Sequence, residues 1–440
     1  MGGPPGTETH VLGPLPESAG GGGTVREELK RIRRRIALDL KETDYSEAAL
    51  LEEIDRALTE WGRDQGLSLK AKETYRKQLL DSFRGMDILQ PLLEDDAVTE
   101  IMVNGTKNIF VERGNEIRLW NRNFSGREAL DDVIQVMAAR VNRMVNTASP
   151  IADLRLPDGS RVNIVLPPAA PDGPVVTIRK FFKDPLTMEK LIALEALTPA
   201  CAAFLESAVK CGCNIFISGG TGSGKTTFLN ALSAFIPAEE RVITIEDSLE
   251  LQLQGLPNLV RMETRDPNLE GLGRISIRDL IRTALRMRPD RIVVGEVRGE
   301  ETLDMLQAMN TGCRGSLSTG HANSAAHMLS RLETMALMGG ELPLGAIRGQ
   351  IASALDLMIH LGRQKDRKRR VLSVCEVLGL EKGEIRIETI LEYTEKNGLR
   401  FIGEQPRKTK KWREIFGAVP VFGEDGTFCL KNDEGAAAPL

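Results

Sequence analysis

Residues Gly219-Gly-Thr-Gly-Ser-Gly-Lys-Thr226 fit the spacing G-x-x-x-x-G-K-[ST], a loop suited to holding phosphate. Gly219, Gly220, Gly222 and Gly224 let successive backbone N–H groups curl around an anion; Thr221, Ser223 and Thr227 belong to the same cradle. Lys225 is placed to reach the β- and γ-phosphates of ATP, and the Thr226 hydroxyl to bind Mg²⁺. An apolar strand, Asn214-Ile-Phe-Ile-Ser218, precedes the loop, and Thr227–Phe235 reads as the helix after it. That context separates a phosphate cradle from a glycine-rich turn with a surface lysine, because the helix N-terminus adds a positive dipole where the phosphates sit.

Hydrolysis also needs a placed water and a held metal ion. Arg241-Val-Ile-Thr-Ile-Glu-Asp247 is an apolar strand ending in two carboxylates, and the C-terminal end of a parallel strand faces the ligand crevice. Glu246 is the candidate for activating or positioning the attacking water, with Asp247 and Glu250 in support. Asp247 or Ser248 could also cap a following helix. Arg291-Ile-Val-Val-Gly-Glu296 is a second apolar strand ending in an acid, the pattern in which the carboxylate contacts Mg²⁺ through water. Gly295 stands where an aspartate is usual. Thr226, Glu296 and Asp247 are the expected Mg²⁺ residues. His321, in Thr319-Gly-His-Ala-Asn323, could sense the γ-phosphate from a strand end; His10, His327 and His360 read as structural or solvated.

The elements that must position these groups alternate along the chain. Residues 1–24 are rich in Gly and Pro and read as a disordered tail. Leu29, Ile32 and Ile36 recur at helical spacing, opening a helical region over 25–88 with a basic face. Residues 89–182 read as a compact α/β domain, with strands at 100–104, 108–112, 162–166 and 175–179 and a helix over 130–145. A connector is expected over 183–195. From 196 to about 390, apolar strands alternate with helices, which predicts a parallel sheet with helical crossovers. Ser276 and Asp279 form a capping pair before an amphipathic helix over 277–287. Residues 391–440 read as an appendage with a basic stretch, Arg407–Arg413.

Composition narrows the partners. Of 440 residues, 41% are hydrophobic and 4% aromatic, and the formal charge is -4. That acidic balance and scarcity of stacking rings count against nucleic acid, although the basic stretches 363–370 and 407–413 count modestly for it. No apolar run approaches the ~20 residues of a membrane-spanning helix, so a cytoplasmic protein held peripherally to the membrane is expected. Six cysteines without a CxxC pair fit reduced, structural thiols.

Taken together the boxes resemble the type II/type IV secretion ATPases, a RecA-like P-loop superfamily. Gly219–Thr226 is similar to its Walker A loop, Ile243–Glu250 to its aspartate box, Leu285–Arg298 to its atypical Walker B, with Gly295 before Glu296, and Ser318–Ser324 to its histidine box. Thr99–Gly105, Leu156–Asn163 and Val176–Phe181 resemble the family's N-terminal domain. The resemblance spans roughly 85–385 and is nearest the tight-adherence pilus (CpaF-like) branch; the tetracysteine zinc site of other branches is absent from the sequence. It implies a C-terminal RecA-like ATPase domain, a smaller N-terminal α/β domain and N-terminal helices. It also implies a homo-hexamer with nucleotide between the two domains, Glu246 and Glu296 in catalysis and metal binding, and Arg161 and Arg179 near the phosphates, with Arg155 a third candidate. An inner-membrane platform protein would be the partner, and pilin or a secreted protein the indirect cargo. The rival readings are a RecA-like nucleic-acid motor of a conjugation-type system and a low-turnover nucleotide switch.

Overall fold

The computed structural model describes residues 25, 28–29, 31–33, 35–36, 47–65, 67–83, 86–114, 116–141, 143–181, 186–265, 267, 272–403, 405–423 and 425–439. The tail read over 1–24 and residues 183–185 of the connector lie outside the described residues, and the helix read over 25–36 is described only in part. The chain divides into two compact units between Phe181 and Phe182.

The first unit opens with helices α1 (Glu47–Gln65) and α2 (Leu69–Phe83). Ile32 and Ile36 join Leu50, Ile54, Leu58 and Leu79 in a small core of their own. A 3-10 turn (Asp87–Leu89) leads into α3 (Gln90–Glu94), β1 (Val98–Asn104), β2 (Asn108–Arg113), β3 (Glu116–Leu119), α4 (Arg127–Ala139), β4 (Ile151–Arg155), β5 (Arg161–Val165) and β6 (Val175–Arg179). The six strands form an antiparallel sheet in the order β3-β2-β1-β6-β5-β4. Alternation sorts its faces: Val162, Ile164, Val176 and Ile178 share a core with Leu130, Val133, Ile134 and Met137 of α4, while Arg161, Asn163, Thr177 and Arg179 take the other face. The helix read over 130–145 stops at Ala139. Beyond it the Asn146 side chain accepts from the backbone N–H groups of Ala148 and Ser149, a local turn that competes with helix.

The second unit runs α5 (Met188–Ala193), α6 (Pro199–Lys210), β7 (Ile215–Gly219), α7 (Lys225–Ser233), β8 (Val242–Glu246), β9 (Leu259–Glu263), α8 (Ile277–Ala284), β10 (Arg291–Val294), α9 (Glu301–Asn310), β11 (Leu317–His321), α10 (Ala325–Met338), α11 (Leu344–Ala354), β12 (Leu357–Arg363), β13 (Arg369–Glu381), β14 (Glu384–Thr394) and β15 (Gly398–Phe401). Its nine-stranded sheet has the order β15-β14-β13-β12-β7-β11-β10-β8-β9. Strands β12, β7, β11, β10, β8 and β9 are parallel, and β13 to β15 extend the sheet antiparallel. Helices cover both faces: Ile215, Ile217 and Val293 point into one core, Phe216, Ile245 and Val294 into the other. The expected capping box is present, with Ser276 and Asp279 each satisfying the other's backbone N–H before α8.

The segments at 188–193 and beyond 405 also differ from the sequence reading. Residues 188–193, inside the expected connector, are helical because the Thr187 hydroxyl accepts from the Lys190 N–H while Met188 and Leu191 bury one turn apart. The C-terminal stretch is packed rather than trailing: α12 (Lys410–Phe416) is followed by a small sheet of β16 (Ala418–Phe422), β17 (Phe428–Asn432) and β18 (Ala437–Ala438). Trp412 is buried, stacks on Phe204 at 6.0 Å and donates to Ser207 Oγ at 2.9 Å. The surrounding cations are engaged internally: Arg407 with Glu388, Lys410 with Glu414, Lys411 with Asp356 and Arg413 with Asp433. The basic stretch of the expected appendage is therefore a latch onto α6 and the sheet.

All six cysteines are free thiols, five of them buried and Cys429 half-buried. Among the described residues no helix is long and apolar enough to cross a membrane.

Candidate nucleotide site

The sheet order sets β7, β11, β10 and β8 side by side, all parallel. Their C-terminal ends therefore deliver Gly219, His321, Glu296 and Glu246 to one edge, the place where open parallel sheets bind ligands. The loop after β7 turns through positive φ at Gly222 (+70°) and Gly224 (+91°). Gly219 is required by crowding: a Cβ there would lie 2.6 Å from the Leu361 carbonyl oxygen and 2.5 Å from Ser223 Oγ. Helix α7 begins at Lys225 after an N-cap glycine, Gly224, that offers no side chain, so the first N–H groups of the helix face the loop. Those donors suit an anion of phosphate size.

Lys225 is buried, and its ammonium donates to the carbonyls of Gly219 and Gly220, both at 3.1 Å, and to His321 Nδ1 at 3.3 Å. His321 Nε2 lies 2.8 Å from Glu296 Oε1, at an angle short of a hydrogen bond. Glu296 Oε2 accepts from Arg298 at 2.8 Å, and Arg298 also stands 3.7 Å from Asp247. These five groups form one continuous polar chain. Burial, reinforced by the Lys225 ammonium, holds the His321 pKa below its usual range. The ring is then neutral. With Nδ1 accepting from Lys225, the network assigns the proton to Nε2, facing Glu296.

Glu246 ends β8 at 4% exposure. Its Oε1 accepts from the N–H groups of Glu250 at 2.8 Å and Leu251 at 2.9 Å, whereas its buried Oε2 has no hydrogen-bond partner. Burial pushes its pKa to about 7, outweighing the two N–H donors. A carboxyl with one oriented oxygen, one unclaimed oxygen and a near-neutral pKa suits a general base. Asp247 is exposed, Thr226 is half-buried in the first turn of α7, and Thr221, Ser223 and Thr227 lie in or beside the loop. Among the described residues no cluster of three protein ligands gathers. Thr226, next to Lys225 in the first turn of α7, and Glu296, linked to Lys225 through His321, fit Mg²⁺ held largely by nucleotide phosphates, with a few side-chain contacts. A cavity of about 330 Å³ adjoins the carboxylate end, lined by Asp247, Arg265, Arg274, Arg278 and Arg298.

Arg161 and Arg179 belong to the first unit and are direct cross-strand partners on β5 and β6. Arg155 on β4 faces Arg161 in turn, and Glu100 on β1 faces Arg179. The outcome is a charged row in which three guanidinium-bearing residues stand on successive strands. Arg298, which bridges Glu296 and Asp247, was not assigned a role from sequence, although its place two residues past Glu296 was visible. His360 is buried against Ser218, with Nδ1 3.0 Å from its Oγ, one strand away from the polar chain.

Residues 83–408 match the model of the type II/IV secretion system protein family. A Mycobacterium tuberculosis protein named for conjugal transfer is 35% identical over 321 residues, 72% of this chain and 90% of the relative. The type IV secretion system protein PtlH of Bordetella pertussis is 34% identical over 318 residues, 66% of this chain and 93% of the relative. The crystal structure of the VirB11 ATPase from the Brucella suis type IV secretion system is 30% identical, covering 67% of this chain and 97% of that one, with a TM-score of 0.37.

Proposed function

The chain belongs to the type II/IV secretion system protein family, and from that premise we propose that it is an ATP-hydrolysing motor, assembled as a homo-hexamer, that powers pilus assembly or protein secretion. The observation that carries this reading is the convergence of Lys225, His321, Glu296 and Glu246 on the ends of four adjacent parallel strands. The loop amides and the α7 N-terminus bind the phosphates, and Lys225 exchanges its carbonyl contacts for phosphate oxygens. Thr226 and Glu296 would hold Mg²⁺, with Asp247 in support, and the ion would supply charge neutralisation for the nucleotide's phosphates. The unclaimed Oε2 of Glu246 orients the attacking water and takes its proton, which a pKa of about 7 permits near neutrality. His321 reads the γ-phosphate state through Lys225 and Glu296. Arg161 and Arg179 are assigned the neutralisation of charge developing at the γ-phosphate.

The tight-adherence branch, with a membrane platform protein as partner and pilin as indirect cargo, is the reading of the system served. The cytoplasmic face of a membrane is the corresponding location. Internal pairing of the cations in 407–413 removes one argument for a nucleic-acid motor. The test is ATP turnover measured together with native mass for wild type and Glu296→Gln. A hexamer that hydrolyses ATP, with a variant that assembles but turns over little, supports the motor. A wild type with negligible turnover in an assembled ring favours the switch, and turnover stimulated by DNA with a steep salt dependence favours the nucleic-acid motor.

A further inference from the structure

The hairpin joining β12 to β13 passes the phosphate loop on the side away from His321. Parallel pairing of β12 with β7 sets Leu361 opposite Gly219, so Arg363 runs beyond the end of β7. The turn closes between Gln364 and Lys368, and β13 returns with Arg369 opposite Arg363. Like charges placed opposite each other on antiparallel strands oppose the pairing. Their neighbours have obvious sinks: Arg370 pairs with Asp366 at 2.6 Å, and Lys368 with Glu195 at 2.6 Å. Arg369 crosses to the loop, where its Nε donates to the Gly222 carbonyl at 2.8 Å. Its Cδ lies 3.4 Å from where a Cβ on Gly224 would stand.

A loop that cradles an anion turns its N–H groups inward and its carbonyls outward. Gly222 and Gly224 hold that arrangement only through left-handed backbone, which glycine leaves as readily as it enters. A guanidinium clamped on the outward carbonyl of Gly222 opposes the peptide flip that would undo the cradle, and adds positive potential beside it. The strut has its own footing. Lys368, the preceding residue, pairs with Glu195, and the Val371 N–H donates to the Ala196 carbonyl at 2.8 Å. Neighbouring residues of one strand thus tie the loop apex to the chain segment just after α5.

We propose that Arg369 is a positioning residue for the nucleotide, holding the phosphate loop in its anion-binding form from a hairpin pinned to Glu195. The proposal rests on the nucleotide-binding reading above. The probe is MgADP titrated calorimetrically into the full chain as wild type, Arg369→Ala, Arg369→Lys, Glu195→Gln and the hairpin-tip control Lys365→Ala, with thermal melts in the absence of nucleotide. Arg369→Ala is expected to weaken MgADP by about tenfold, the loss of one charge-assisted hydrogen bond. KM for ATP should rise in step while kcat at saturation stays within about twofold, a split that partial unfolding does not produce. Arg369→Lys should recover part of the loss, Glu195→Gln should show a smaller one, and Lys365→Ala should match wild type. Should Arg369→Ala melt early, Arg369→Lys carries the comparison, because it keeps the charge and loses the Nε donor. MgADP affinity within about twofold of wild type for both Arg369 variants overturns the strut alone. A wild type that binds no MgADP overturns the nucleotide reading and the strut with it.

Discussion

Gly295 and Glu246 are in steric contact across adjacent strands: a Cβ on Gly295 would lie 3.0 Å from Glu246 Cγ. The residue that stands in place of the usual aspartate is therefore fixed by the neighbouring carboxylate. Glu246 lies over the backbone at Gly295, and any side chain there pushes it aside.

Gly295→Ala is accordingly expected to act as a catalytic lesion. Displacing Glu246 by a few tenths of an ångström to an ångström should lower turnover by about 10- to 100-fold. MgADP affinity should change less than turnover, since the displaced group is Glu246 and not the phosphate loop. Steady-state kinetics paired with calorimetry checks this; unchanged turnover would separate Glu246 from the chemistry.

Glu246 also predicts a pH signature. Its folded pKa is raised, so the folded state holds the proton more tightly than the unfolded chain. Its contribution is therefore neutral at pH values below the ordinary carboxylate range. Stability then falls as pH rises from that range to about 7, and the cost is constant above. Glu246→Gln keeps an acceptor for the N–H groups of Glu250 and Leu251 but carries no charge. Its melting temperature should exceed that of wild type at pH 8 and converge with it near pH 4.5, while turnover collapses. A parallel offset at every pH would refute the assignment.

Arg161 and Arg179 separate stability from activity. As direct cross-strand partners of like charge they oppose each other by ~0.2–1 kcal/mol. Arg179→Ala also removes the charge facing Glu100, so either Arg→Ala change should move the melting temperature little, yet lower turnover by about tenfold or more if these groups meet the phosphates. Loss of stability without loss of turnover would mark the row as purely structural.

Trp412 tests the C-terminal latch. It is 2% exposed, stacked on Phe204 and bonded to Ser207. Trp412→Ala should cost ~3–5 kcal/mol in chemical denaturation and detach the small terminal sheet, visible as early protease cleavage after residue 400. A cost below ~1 kcal/mol would mean that the latch is dispensable.

The candidate site was legible in sequence where its parts are local. Strand, glycine-rich loop and helix follow one another within about twenty residues, so the cradle at 219–226 could be read directly. Glu246, Glu296 and His321 were legible for a related reason: each ends an apolar run, and parallel topology sends all such ends to one edge. Arg369 was not legible, because its contact with Gly222 depends on the register of β12 against β7, more than a hundred residues away in the chain. Charge patterning misled for the same reason at 407–413, where the basic stretch counted modestly for nucleic acid until the fold supplied Glu388, Asp356 and Asp433. The helix at 188–193 carried a readable signal, Thr187 before Met188 and Leu191, in a stretch whose position between two domains reads as a connector.

The distribution of thiols has a practical outcome. Five cysteines are sealed in cores, and burial pushes the thiols of Cys201, Cys213, Cys313 and Cys375 further from the reactive thiolate. Cys429, on the small terminal sheet, is the most accessible. A maleimide dye applied to the unmodified protein would settle mainly there. Fluorescence could then follow the C-terminal latch through a turnover cycle without a single engineered residue.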